Sequence, residues 1–245
     1  MAEPGWIPAD WPAPPGVRAG VTTRVGGVSQ APYASFNLAQ HVGDDPAAVA
    51  QNRAQLNQSL HLPNEPLWLN QVHGIQVCTD VAVGTSADAC VSHQPGRVCA
   101  VMTADCLPVL LCDQEGTVVA AAHAGWRGLA AGVIGETVTR MQRDPVQLMA
   151  WLGPAIGPRA FEVGDDVRNA FLGLAPSYAT VFVAHGPGKW FMDIYAAAKL
   201  QLAGLDVGQI YGGEYCTYED AGRFYSYRRD HTTGRMASLI WIQPA

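Results

Sequence analysis

The most continuous hydrophobic pattern sits in the middle of the chain. Residues 98–103, 107–112 and 118–123 form short apolar runs, broken at Asp105 and by the polar stretch 113–116. Runs of that length, bounded by polar breaks, predict buried strands. Further strands are predicted at 18–24, ahead of the Gly26-Gly27 turn, at 67–72 and 75–81 meeting at Gly74, at Leu148–Leu152 and at 237–242. Helical spacing fills the intervals. Asp44-Asp45-Pro46 is a helix start, an Asp cap followed by proline at the first helical position, and Val49, Arg53, Leu56 and Leu60 carry the amphipathic pattern to His61. Other helices are predicted at 126–141, 165–174 and 193–205.

The opening residues 1–17 are rich in Pro and Trp (Trp6, Pro8, Trp11, Pro12, Pro14, Pro15) and predict an extended strap on the surface. Beyond them no repeat, low-complexity linker or boundary interrupts the chain, so 18–245 predicts one domain. Strands and helices do not alternate strictly, which favours a mixed α+β arrangement over a βαβ array.

Composition narrows the function. With 245 residues, 49% hydrophobic and 15% charged, the chain can bury a sizeable core and is not disordered. Its apolar stretches fall far short of the ~20 residues of a membrane span, and residues 1–5 lack the features of a signal peptide. A cytoplasmic protein without a membrane partner is expected. A net charge of −6 argues against nucleic acid, which calls for a basic face. Of the 15 basic residues only Lys189 and Lys199 are lysines. The arginine excess either follows from the base composition of the gene or supplies forks for anionic ligands. The six cysteines have no regular framework and no C-x-x-C pair, and read as reduced buried thiols of which one could do chemistry.

Three contexts could carry that chemistry. Asn70-Gln71-Val72-His73-Gly74 puts a histidine at the end of an apolar run. Thr103-Ala104-Asp105-Cys106-Leu107-Pro108 sets Asp beside Cys where one strand gives way to the next. His123-Ala124-Gly125-Trp126-Arg127-Gly128 ends a strand on small residues before a helix. Strand ends of this kind expose side chains while the core holds them rigid. Taken singly, a histidine after a strand is more often a surface or hydrogen-bonded residue than a ligand, and a cysteine flanked by Leu and Ala is more often a core filler. Asp105 is harder to set aside, because an uncompensated buried carboxylate costs roughly several kcal/mol. The separations, 33 residues from His73 to Cys106 and 17 from Cys106 to His123, are not a local zinc-finger spacing.

If the three converge, two imidazoles and a thiolate suit a zinc ion with one open position, with Asp105 as an orienting group or base. Without metal the same trio is a Cys–His nucleophile pair. Arg24, Arg127 and Arg228-Arg229 are candidate anion binders, or surface ion-pair partners.

Together these segments resemble a known family. Arg24…Gly26-Gly27-Val28-Ser29, Ser35-Phe36-Asn37-Leu38, Gln71-Val72-His73-Gly74, Thr103-Ala104-Asp105-Cys106-Leu107-Pro108, His123-Ala124-Gly125-Trp126-Arg127-Gly128, Cys216-Thr217 and Ser226-Tyr227-Arg228-Arg229 are similar to motifs of the laccase-domain or polyphenol-oxidase family, also called peptidoglycan editing factors. Members of that family are described as purine nucleoside phosphorylases. The resemblance implies a single α+β domain of mixed β-sheets covered by helices, a layered α/β/β/α sandwich. It implies zinc held by His73, Cys106 and His123, and phosphorolysis of adenosine, inosine and methylthioadenosine with adenosine deamination as a side activity. Cys90 stands where the family more usually has leucine.

The expected catalytic set is therefore His73, Asp105, Cys106 and His123. Arg24 and Arg127 are expected to take phosphate, and Asn37, Gln71 and Arg228 to contact the nucleoside by their placement. Three other classes remain open. A zinc- or Cys-dependent amidase could edit a peptidoglycan precursor, and a copper-dependent polyphenol oxidase would use Cu2+ in the same trio. A non-enzymatic nucleoside binder would show binding without turnover. Nothing in the composition marks an interface, so monomer and homodimer are both compatible with the sequence.

Overall fold

A strand that is apolar at every position must be covered on both faces, and alternation along it tells by what. In strand β6 (Leu107–Asp113), Leu107, Val109 and Leu111 pack with helices, while Leu110 and Cys112 turn into a core between two sheets. Strand β8 (Leu148–Leu152) divides the same way, with Leu148, Ala150 and Leu152 on the helix side and Met149 and Trp151 between the sheets. In strand β13 (Met236–Ile242), Met236, Ile240 and Ile242 enter that inter-sheet core, and Ala237, Leu239 and Trp241 face an outer cluster.

The computed structural model describes residues 5–79 and 84–244. Its larger sheet runs β12 (Gln209–Gly212), β8, β6, β7 (Val119–Ala124), β4 (Ala89–Ser92), β3 (Val77–Thr79). The two outermost pairs, β12–β8 and β3–β4, are parallel and the inner ones antiparallel. The second sheet, antiparallel throughout, runs β1 (Trp6–Pro8), β2 (Val17–Thr22), β13, β5 (Cys99–Thr103). Helix α1 (Pro46–Ser59) covers the outer face of the second sheet through Leu56, beside Phe36, Leu38 and Trp68. Helices α2 (Trp126–Ala131), α3 (Val133–Met141), α4 (Asp165–Leu172) and α5 (Ile194–Gly204) lie on the far side of the larger sheet. The layers are therefore α/β/β/α, mixed in strand direction. A short sheet of β10 (Phe182–Ala184), β11 (Lys189–Met192) and β9 (Glu162–Gly164) flanks α4. Among the described residues no helix is long and apolar enough to cross a membrane.

Several elements differ from the sequence expectations, each for a physical reason. The helix predicted over 126–141 is two helices, because Gly132 stands between them at φ +99°, a left-handed conformation that ends a helical run. Residues 67–72 form no strand, only bridges at Leu67 and Asn70. Gln71 instead grips the edge of β5 with its side chain, Nε2 donating to Met102 O and Oε1 accepting from Met102 N, both at 2.8 Å. The strand predicted over 75–81 is reduced to β3, and residues 80 and 81 lie outside the described ones. The surface strap takes part in a sheet through β1, an edge strand that accommodates Pro8. β4, β9–β11 and β12 are short or built of small residues, and hydrophobic patterning gives no sign of them.

Candidate metal centre and its cavity

Three segments distant in sequence end at one place. β5 and β6 are joined by the Asp105-Cys106 turn, β7 carries His123 near its end opposite Pro108, and the His73 turn precedes β3. The ligand atoms of His73, Cys106 and His123 all lie within 4.8 Å of one another, with Cys106 Sγ 3.9 Å from His73 Nε2. The imidazole rings meet edge to face at 4.8 Å between centroids. His123 is buried, Cys106 half-buried and His73 exposed, so the trio opens to one side.

Asp88 builds this arrangement. Its Oδ1 accepts from His123 Nδ1 at 2.8 Å and from the His73 backbone N–H at 2.9 Å, and its Oδ2 accepts from the N–H groups of Gly74 at 2.7 Å and Val72 at 3.2 Å. The His73 turn, with φ +59° at His73, is wrapped around one fully buried carboxylate. Burial pushes the Asp88 carboxyl up, but the hydrogen bonds from His123 and the turn outweigh it and hold it below the usual range. An imidazole that gives its Nδ1 proton to a carboxylate presents Nε2 as a ligand.

Cys106 is positioned by its neighbour. Asp105 sits at φ +89°, a conformation a non-glycine residue keeps only when its surroundings over-determine it. Its Oδ1 accepts from Thr217 Oγ1 at 2.6 Å and its Oδ2 from the Arg228 N–H at 2.7 Å. Close packing completes the trio: a Cβ on Gly125 would lie 3.0 Å from Cys106 Sγ and 3.1 Å from His73 Cδ2, so a larger residue would press on both ligands. Burial opposes the thiolate at Cys106, yet the imidazoles of His123 and His73 beside it draw its pKa below the usual thiol range. His123 moves the other way, held up against burial by the Cys106 sulfur and the Asp88 carboxylate. Two imidazoles and a low-pKa thiol, open on one side, form a donor set that fits a divalent transition metal with three protein ligands.

The trio forms one end of a cavity of about 510 Å3, within the range of small-molecule sites. Met102, Trp126, Ile156, Phe161 and Tyr227 supply apolar and aromatic wall, and His41, Arg127, Arg228 and Arg235 supply cations or imidazole. Asp105, Gln71, Arg127 and Arg228 line the cavity. Gln71 has both amide atoms on Met102, Arg127 stacks on Trp126, and Arg228 donates to Glu162 O.

Arg24 and Asn37 are not among the lining residues. Arg24 gives its guanidinium to Ala34 O and Ala221 O and stacks on Tyr225, so its fork is taken up by backbone carbonyls, not by a phosphate. Asn37 is fully buried and accepts from the Arg235 N–H, supporting the cavity from behind. Sequence reading assigns no role to Asp88, His41 or Arg235. Asp88 carries a usable signal, since it lies between Ala87 and Ala89 as Asp105 lies between Ala104 and Cys106. Arg235 falls within Gly234-Arg235-Met236, a further segment of the family resemblance, while His41 carries no signal.

Residues 18–243 match the family model described as multi-copper polyphenol oxidoreductase laccase. The chain is 53% identical over 239 residues to the purine nucleoside phosphorylase YfiH of Escherichia coli strain K12, covering 96% of this chain and 98% of that one. It is 47% identical over 241 residues to a purine nucleoside phosphorylase of Haemophilus influenzae, covering 97% and 99%. A crystal structure of a Neisseria meningitidis protein of the DUF152 family superposes with a TM-score of 0.95 at 51% identity, covering 98% of this chain and all of that one. YlmD from Geobacillus stearothermophilus superposes with a TM-score of 0.93 at 33% identity, covering 98% and 97%. On this evidence the chain belongs to the laccase-like polyphenol oxidoreductase family, whose relatives are named purine nucleoside phosphorylases.

Proposed function

We propose that the chain is a zinc-dependent purine nucleoside phosphorylase that acts on adenosine, inosine and methylthioadenosine and deaminates adenosine as a side activity. The observation that carries the reading is the joining of a His73/Cys106/His123 donor set to a cavity whose walls are aromatic and cationic. Such walls suit a flat base and an oxyanion together. In this reading Trp126, Phe161 and Tyr227 receive the purine, and guanidinium groups hold phosphate against the anomeric carbon as the bond to the base breaks. Asp105, accepting from Thr217 and Arg228, holds the turn that carries Cys106. Zinc, when bound by the trio, supplies a Lewis acid at the closed end of the cavity.

Copper is the second reading. The donor set of two histidines and one cysteine also suits that ion, and Met102 places a thioether on the same cavity wall. Equilibrium metal analysis separates the two.

The deciding experiment is product analysis by mass spectrometry with adenosine, with and without phosphate. Adenine and ribose 1-phosphate formed only with phosphate support the proposal. Inosine formed regardless of phosphate makes the protein chiefly a deaminase. No product in either case turns attention to an amidase acting on a cell-wall precursor.

A further inference from the structure

We infer that Arg235 forms the phosphate subsite of the cavity, with Thr103 beside it. The inference rests on the phosphorylase reading and names where its inorganic co-substrate sits.

Arg235 lines the cavity and is half-buried. Its Nη1 donates to Thr233 O at 2.9 Å and to Gly234 O at 3.0 Å, which anchors the guanidinium from one side. Its backbone N–H is held by Asn37 Oδ1 at 2.9 Å. Among the described residues no hydrogen bond engages Nε or Nη2, and no carboxylate pairs with the group. That leaves open the edge of the guanidinium that binds oxyanions through two parallel N–H donors. Asp105 and Cys106 act on the guanidinium electrostatically without hydrogen-bonding it, and the Tyr227 ring lies 5.9 Å from its centre, so the donors of that edge stay available to an oxyanion.

The other arginines are less well placed. Arg127 and Arg228 are exposed, and Arg228 already donates to Glu162 O. Two neighbours complete the subsite. Thr103, 2% exposed, lines the same cavity and has a buried hydroxyl without a hydrogen-bond partner. It pairs with Met236 across the β5–β13 ladder, one residue from Arg235 along the chain. His41 lines the same wall, and burial together with Arg235 and Arg53 lowers its pKa, which favours an uncharged imidazole beside the cation.

The test is calorimetric titration of the zinc-loaded protein with inorganic phosphate, for wild type, Arg235→Gln and Arg235→Lys. Metal content and thermal unfolding are recorded for each protein. The expected result is phosphate affinity weakened about 10- to 100-fold in Arg235→Gln, the loss expected for a hydrogen bond to a charged group. Arg235→Lys, which keeps the charge and loses the fork, should fall between, so it serves if Arg235→Gln does not fold. In steady state, the KM for phosphate should rise while the KM for nucleoside changes less. Wild type and both variants binding phosphate equally would overturn the subsite and leave phosphorolysis standing. Wild type failing to bind phosphate, with nucleoside converted in its absence, would overturn both.

Discussion

One oxygen of Asp88 serves both histidines of the candidate metal centre. Oδ1 accepts from His123 Nδ1 at 2.8 Å and from the His73 N–H at 2.9 Å, so the orientation of one ligand and the backbone of the other depend on the same buried atom. Asp88→Asn should therefore lower metal affinity by about 10- to 100-fold, the usual cost of losing a group that orients a ligand. Competition with a chromophoric chelator measures it. Unchanged affinity would mean that the turn holds His73 without the carboxylate.

Crowding gives a second prediction. Gly125 has backbone angles of φ −61° and ψ 157°, which alanine adopts freely, yet its Cβ would press on Cys106 Sγ and His73 Cδ2. Gly125→Ala should reduce bound metal well below that of wild type while leaving the far-UV spectrum unchanged. Full metal stoichiometry in the variant would show that the ligands shift aside without cost.

Asp105 separates positioning from proton transfer. An amide at this position can accept from the Arg228 N–H through its oxygen and donate to Thr217 Oγ1, so Asp105→Asn should fold and bind metal. Activity within about tenfold of wild type is expected, since a lost general acid or base costs about 10²- to 10⁴-fold. A larger fall, with metal content intact, would assign Asp105 the proton.

Stability at acid pH should depend on Asp113, far from the metal centre in the fold. Its buried carboxylate accepts from the N–H groups of Thr117 and Val118, from Thr117 Oγ1 and from Arg143. Burial pushes its pKa up, but these donors outweigh that and hold it below the ordinary range. A depressed carboxyl pKa stabilises the fold above the unfolded value of about 3.9 and loses that contribution as pH falls through the folded value. Asp113→Asn should cost about 1–3 kcal/mol at pH 7, the worth of hydrogen bonds to a charged group, and less at pH 3. Urea unfolding at the two pH values checks the difference.

What could be read from the chain follows the range over which each feature is decided. The runs 107–112 and Leu148–Leu152 declared themselves as strands because two covered faces demand an apolar residue at every position, a requirement written locally. The Asp cap and proline of α1 are local too, and the helix begins where they put it. His73, Cys106 and His123 are marked in the sequence by residue type and by the small or polar residues beside them, which carry no information on the distances between the three. The tertiary structure decided the rest. Arg24 and Arg235 look alike in sequence, yet one is taken up by the carbonyls of Ala34 and Ala221 and the other is left with an open edge on the cavity. Asp88 became the hub of the site only when the turn at 72–74 and β7 closed on it from 14 to 35 residues away. Hydrophobic periodicity records which residues leave water; which polar groups meet, and which are left facing a ligand, is determined by contacts between segments that the periodicity does not order.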